Sequence, residues 1–211
     1  MSDHTGILVL VRHGQSEWNA TGKWTGWTDI PLSETGEKEA RDVGQKLTDI
    51  HFDFGFTSVL QRAQQTMEAI QHVLQQPFAV TASEKLNERN YGVYTGKNKW
   101  EIKEKIGEEE FMKLRRSWDY PIEKGESLKQ VYERVIPYYK GEVLPLLEKG
   151  QHILIAAHGN SLRALIKYLE NIPDDKISSV ELATGEALVY EISPEGKIVS
   201  KKSIKTSGTV S

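Results

Sequence analysis

The chain has 211 residues, 38% of them hydrophobic and 27% charged, a net charge of −3 and no cysteine. That length suits one α/β domain with a full core, and the slightly acidic balance argues against bulk attraction to nucleic acid or an anionic membrane. Disulfides, thiolate nucleophiles and Cys-based zinc sites are excluded. No apolar run reaches membrane-spanning length and Met1 to Gly6 lacks a signal core, so a cytoplasmic location is expected.

The first element is an apolar run, Ile7 to Val11, without polar alternation. It reads as a strand buried on both faces. Ser33 then opens a helix whose packed face is Ala40, Val43, Gly44 and Leu47. Phe54 to Thr57 is a second strand, and Ser58 is a candidate cap for a helix with Ala63, Met67, Ile70 and Leu74 inside. Phe78 to Thr81 is expected to be a third strand. Ser83 to Lys99 reads as irregular, broken at Gly92 and Gly96, and the charged stretch Glu101 to Trp118 as helical. Ser127 with Gln130 has the spacing of a capping box, before a helix packed through Leu128, Val131, Tyr132 and Val135 and kinked at Pro137. After Gly150 comes a second fully apolar strand, Ile153 to Ala157, and then a helix from Ser161 to Glu170. Leu188 to Ile192, the turn Ser193 to Gly196 and Ile198 onward form a hairpin, and a small polar tail at 205–211 is expected to fray. Alternating strands and helices imply an α/β fold with one sheet covered on both faces, and the chain shows no linker or repeat that would divide it, so residues 1–211 read as a single domain.

Both apolar strands run into the same kind of turn. The first ends in Arg12, His13, Gly14, Gln15, Ser16, and the second in His158, Gly159, Asn160, Ser161. Open α/β sheets bind ligands beyond the carboxyl ends of their strands. If the two strands are neighbours, His13 and His158 meet in one crevice. Gly14 and Gly159 allow close backbone approach, the helix after His158 points its N-terminus at the site, and Arg12 offers a planar fork for phosphate oxygens. An imidazole beside a bound phosphate can carry the phosphoryl group as phosphohistidine, given a carboxyl group to protonate the leaving oxygen. Two plainer readings stand beside this one. Each histidine alone could be a hydrogen-bonded structural residue, and two together could hold a metal, although no H-x-x-x-H spacing supplies further ligands.

The segments LVRHGQSEWN, GKWTGWTDIPLSETG, SVLQRAQQT, LNERNYG and IAAHGNSLR, with a later RRSWD, resemble the cofactor-dependent phosphoglycerate mutases of the histidine phosphatase superfamily, from Ile7 to about Ile192. The resemblance implies a doubly wound three-layer α/β sandwich with a mostly parallel central sheet and helices on both faces. It implies interconversion of 3- and 2-phosphoglycerate, in glycolysis and gluconeogenesis, primed by 2,3-bisphosphoglycerate and without a metal. By this match His13 is the phosphorylated nucleophile. Arg12, Arg62 and His158 hold the transferring phosphoryl group, with Asn19 and the Gly159 backbone. Glu88 is the acid and base. Arg89, Tyr91, Lys99, Arg115 and Arg116 bind the substrate's carboxylate or second phosphate, and Thr25, Gly26 and Asn160 make further contacts. Trp18, Trp24 and Trp27 are expected to pack the loop around the pocket.

Two departures from the longer members matter. The run YPIEKGESL lacks an inserted segment after the proline, and the C-terminus lacks a lysine-rich tail that covers the site. Weaker water exclusion would let a phosphohistidine hydrolyse, so appreciable phosphatase side activity is expected. The shortened segment also fits a monomer or a weak homo-oligomer. The competing functions are a histidine phosphatase for small phosphate esters, which needs no clamp for a carboxylate, and a non-catalytic phosphate-binding module, which needs no Glu88.

Overall fold

A computed structural model describes residues 5–205. Its central strand is the opening apolar run, β1 (Gly6–Arg12), and the second such run, β4 (Ile153–Ala157), lies directly beside it in parallel, with Leu10 opposite Ile155 and Arg12 opposite Ala157. The other strands are β2 (Phe54–Thr57), β3 (Ala79–Ala82), β5 (Ala187–Ile192) and β6 (Ile198–Ile204), in the order β3-β2-β4-β1-β5-β6. The first four are mutually parallel; β5 runs antiparallel to β1, and β6 antiparallel to β5.

Helices α2 (Glu34–Lys46) and α3 (Gln61–Leu74) cover one face of the sheet. Val9, Val11, Leu154 and Ala156 point there, into a cluster with Val43, Leu47, Met67 and Ile70. Helices α6 (Leu128–Tyr138), α7 (Leu144–Leu147) and α8 (Gly159–Leu169) cover the other. Leu8, Leu10, Ile153 and Ile155 pack there against Leu128, Val131, Leu162 and Leu165. This is the period-2 division of one strand between two cores, which is why β1 and β4 read as unbroken apolar runs. A third, smaller cluster (Trp24, Ile102, Phe111, Leu114 and Ile122) packs the lobe made by α4 (Lys99–Ile106) and α5 (Glu108–Arg116). No helix among the described residues is long and apolar enough to cross a membrane.

Several expectations shift. The helix predicted over Glu101 to Trp118 is two, because Gly107 takes φ +81° and ψ 163°, a conformation that breaks the α-helix and suits only glycine. Helix α3 has Leu60, not Ser58, at its N-cap; the Ser58 hydroxyl accepts the Leu60 N–H (3.1 Å) and is also engaged by His158. Helix α8 begins at Gly159, two residues before Ser161, and His158 stands at its N-cap. Strand β3 starts one residue later than expected, and its four residues are all exposed at the sheet edge. A four-residue helix α1 (Glu17–Ala20) arises from a capping box between Ser16 and Asn19, too short to leave a periodic signal. Pro137 lies inside α6, which runs on into a π-turn, Tyr139–Val143, before α7. The tail expected to fray at 205–211 lies, apart from Lys205, outside the described residues.

Candidate active site

The register of β1 and β4 sets the site. His13 and His158 follow paired residues, and their rings meet edge to face with centroids 4.9 Å apart. His13 is 3% exposed and His158 is fully buried. His13 Nδ1 donates to the Gly14 carbonyl (2.6 Å), which fixes the tautomer and leaves Nε2 with a free lone pair. Burial holds the His13 pKa well below the usual histidine value, and the Arg62 and Arg12 charges lower it further against that one hydrogen bond. His158 is depressed in the same way, by burial first and then by Arg62 and His13; its Nε2 is bonded to the Ser58 hydroxyl (2.7 Å). Two uncharged imidazoles therefore stand together, His13 on the wall of a cationic pocket and His158 enclosed behind it.

Gly14 does not face the ligand space as expected. A Cβ there would lie 2.1 Å from the Gly36 carbonyl oxygen, so this glycine lets the β1 turn press onto α2. A Cβ on Gly159, by contrast, would meet Arg12 and Glu88 at ordinary contact distance inside the pocket.

The guanidiniums are aimed by backbone carbonyls. Arg62, 1% exposed, donates from Nη1 to Thr28 O (2.9 Å) and from Nη2 to Gly26 O (2.8 Å), and burial pulls its pKa down to about 10. Arg12 Nη1 donates to Leu182 O (2.8 Å). The Nε atoms of both arginines and Thr25 Oγ1 are buried without a partner, and all three residues line the pocket. Unpaired buried polar atoms on residues that line one space leave hydrogen-bonding capacity that fits an anion there. Asn19 reaches the same wall, its Oδ1 accepting from Ser16 N (3.2 Å) and Ser16 Oγ (2.9 Å).

Glu88 comes from the irregular segment after β3. Its Oε1 accepts three N–H bonds: Arg89 N (2.7 Å), Asn160 N (3.1 Å) and Asn160 Nδ2 (3.0 Å). Its carbonyl is held by Trp27 Nε1 (2.6 Å) and Arg134 Nη2 (2.9 Å). Oε1 is saturated, so a proton on this carboxyl group goes to Oε2.

Lys99, Arg115 and Arg116 form a second cationic group on the pocket wall with Tyr91. Lys99 sits at the first position of α4, and burial together with Arg115 and Arg12 pulls its pKa down to about 8. Burial and Arg116 lower Arg115, while Arg116 pairs with Glu181 (2.8 Å). The Tyr91 hydroxyl accepts from Asn160 Nδ2 (2.9 Å). Arg89, like His158, belongs to the expected set but lies behind the pocket wall. It is fully buried, stacks its guanidinium 4.7 Å from the Tyr91 ring and donates to Leu114 O (3.0 Å). Of the tryptophans, Trp24 is buried against Tyr91, Tyr94 and Phe111, Trp18 has the Lys23 ammonium over its ring, and Trp27 is 41% exposed.

Arg163, Glu181 and Leu182 also line the pocket and were not singled out from the sequence. Arg163 lies at the end of IAAHGNSLR, but an arginine in an otherwise apolar helix reads as its solvent face. Altogether six cationic side chains of lysine and arginine face two carboxylates here, in a protein of net charge −3. The positive field is local, as a small polyanionic ligand requires. Among the described residues no three His, Asp or Glu side chains gather into a metal-holding group.

The histidine phosphatase superfamily (branch 1) model matches residues 8–204. The chain is 51% identical over 201 residues to a phosphoglycerate mutase of Schizosaccharomyces pombe, covering 94% of this chain and 95% of that one. It is 46% identical over 199 residues to a 2,3-bisphosphoglycerate-dependent phosphoglycerate mutase of Parvibaculum lavamentivorans, covering 93% and 95%. Among solved structures, Bacillus stearothermophilus YhfR superposes with a TM-score of 0.81 at 25% identity, covering 98% of each chain. With that match running through β1, β4 and both histidine turns, the chain belongs to the histidine phosphatase superfamily.

Proposed function

We propose that the protein is a phosphoglycerate mutase, interconverting 3-phosphoglycerate and 2-phosphoglycerate in glycolysis and gluconeogenesis through a phosphohistidine on His13. The observation that carries this reading is the pairing of two anion sites in one pocket. Arg12 and Arg62 surround the His13 nucleophile, while Lys99, Arg115 and Arg116 offer a separate clamp. A simple phosphate ester needs only the first; a phosphoglycerate, with its carboxylate and about two further negative charges on phosphate, uses both.

2,3-Bisphosphoglycerate, when bound, supplies the phosphoryl group that first charges His13; the unpaired Nε atoms of Arg12 and Arg62 and the Thr25 hydroxyl fit its oxygens. His13 Nε2 then forms its N–P bond as the ester O–P bond breaks, and the Glu88 carboxyl group gives the leaving oxygen a proton from Oε2. In the reverse sense Glu88 takes the proton of the glycerate hydroxyl as that oxygen attacks phosphorus and the N–P bond breaks. A group that acts as acid in one direction acts as base in the other. The guanidiniums, His158 and the Gly159 backbone stabilise the charge spread over the equatorial oxygens.

The test is a labelling chase. The protein is mixed with labelled 2,3-bisphosphoglycerate in excess chelator, then given 3-phosphoglycerate. Base-stable, acid-labile label that is absent from His13→Asn and chases into 2-phosphoglycerate is the expected result. Label passing mainly to free phosphate would make the protein a phosphatase, and no label would remove phosphohistidine chemistry altogether.

A further inference from the structure

Arg163 is 4% exposed, as enclosed as the core around it. It stands one turn beyond Asn160 on α8, so the two side chains share a face. Burial lowers its pKa to about 10, which leaves it cationic at neutral pH. Its Nη1 donates to Asn160 Oδ1 (3.1 Å) and Arg115 O (3.5 Å), and its Nη2 to Arg116 O (3.1 Å) and Ile177 O (2.9 Å). All four acceptors are neutral oxygens. Holding a buried cation on neutral partners costs stability that an apolar side chain on this helix would not.

An asparagine amide has two orientations that differ by exchange of oxygen and nitrogen. Arg163 has only donors to offer, so Oδ1 must face it. Nδ2 is then turned to Glu88 Oε1 and the Tyr91 hydroxyl. That contact completes the three donors on Oε1 and leaves the proton to Oε2. The same guanidinium occupies the carbonyls of Arg115 and Arg116, while Arg89 occupies that of Leu114. These are last-turn carbonyls of α5, at the negative end of its dipole, which two buried cations satisfy together.

We infer that Arg163 is a positioning residue for the phosphoryl transfer proposed above: it turns the Asn160 amide so that Glu88 handles protons on one oxygen, and it anchors the α5 terminus that presents Arg115 and Arg116. The inference rests on that reading of the site.

The test is a double-mutant cycle between Arg163→Met and Asn160→Ala, read as kcat and KM for 3-phosphoglycerate with a thermal melt of each variant. Interconversion by the unaltered protein is the control for the function itself. If the protein only hydrolyses, the same cycle is read on phosphate release, so failure of the substrate reading leaves the Arg163 result visible. In the otherwise unaltered protein Arg163→Met lowers kcat about 10- to 100-fold and raises KM, as misplaced reacting groups do. In the Asn160→Ala background it costs less than about threefold in kcat, because the amide it orients is gone. Arg163→Lys keeps one donor for Oδ1 but cannot fork onto both carbonyls, so kcat recovers most of the loss while KM stays raised. Equal losses of kcat in both backgrounds would mean that Arg163 acts on the substrate directly, and would overturn the inference. So would a lowered melting temperature with unchanged kcat and KM in the folded fraction. Should Arg163→Met not fold, Arg163→Lys is judged in its place: a raised KM with kcat nearly kept is the expected result, and a large loss of kcat that is the same with and without the Asn160 amide overturns the inference.

Discussion

At Lys99 the pocket's cations work against one another. Its ammonium is drawn out of water between Arg115 and Arg12, which pulls the pKa down to about 8 from an ordinary value near 10.5. A bound polyanion repays that cost; the free protein bears it. Lys99→Met should therefore melt at a higher temperature than the unaltered protein in the absence of ligand at pH 7, while KM for 3-phosphoglycerate rises about 10-fold or more for loss of a charge-assisted contact. Calorimetry and steady-state rates check the two halves separately. The sign of the pH effect follows from the depressed folded-state value. Between about pH 8 and 10.5 the unfolded chain holds a proton that folded Lys99 has released, so this residue makes stability rise with pH across that window and KM climb above about pH 8. The Lys99→Met variant should show neither trend. Single residues were legible where they broke a pattern: Arg12, His13 and His158 stop apolar strands, so they stood out. Ser58 and Arg163 were not, since a serine before a helix looks like a cap and an arginine in a helix like a surface residue. Their partners, His158 and Asn160, lie far off or in another role, and only the fold brings them into view.

Among elements, those marked by an unbroken apolar run, a helical apolar face or clear turn residues read correctly: β1, β2, β4, α2, α6 and the β5-β6 hairpin stand where the sequence puts them. The lobe of α4 and α5 does not, because one residue divides it. Fifteen or so charged and helix-favouring residues outweigh one glycine in a propensity sum, yet Gly107 at φ +81° ends one helix and starts the next. That break has a use. It lets Lys99 at the start of α4 and Arg115 and Arg116 at the end of α5 reach the same pocket wall, which a straight helix would hold some 24 Å apart at 1.5 Å per residue, about the span of 16 residues. Nothing lies within 4 Å of a Cβ built on Gly107, so an alanine there meets no clash and the cost is conformational alone. Gly107→Ala should destabilise the protein by about 1–3 kcal/mol through the glycine-only backbone region. If the lobe relaxes to avoid that strain, the clamp opens, and KM should rise more than kcat falls. A denaturant titration with rates on the same samples checks this. Unchanged stability would mean that the turn tolerates a side chain and that α4 and α5 are set by their apolar cluster instead.

For the whole molecule the decisive feature is that the burial which keeps the histidines fit for catalysis costs stability in acid. The fold buries two imidazoles at the seam of β1 and β4, next to Arg12 and Arg62, and holds both pKa values well below 6.5. A nucleophile at His13 needs that, because a protonated Nε2 has no lone pair to attack with. The unfolded chain has no such constraint, and its histidines protonate near pH 6.5. Above that pH neither state carries the extra protons and the two histidines leave stability unaffected. As pH falls below about 6.5 the unfolded state binds protons that the folded state refuses, so stability drops, at a rate of up to about 1.4 kcal/mol per pH unit for each histidine, until the folded-state values are reached. Urea midpoints measured from pH 8 to pH 5 should therefore be level at first and then fall steeply. His13→Asn should remove about half of the steepness contributed by the pair, and His152, half-buried and also depressed, adds a smaller share that persists in the variant. Activity should behave differently over the same range. With His13 kept neutral inside the folded protein, turnover of the folded fraction should persist below pH 6.5 while the folded fraction itself declines. A phosphoryl-transfer rate that instead titrated with a pKa near 6.5, with no matching loss of stability, would show that the pocket opens His13 to water and that its burial is not what sets the nucleophile.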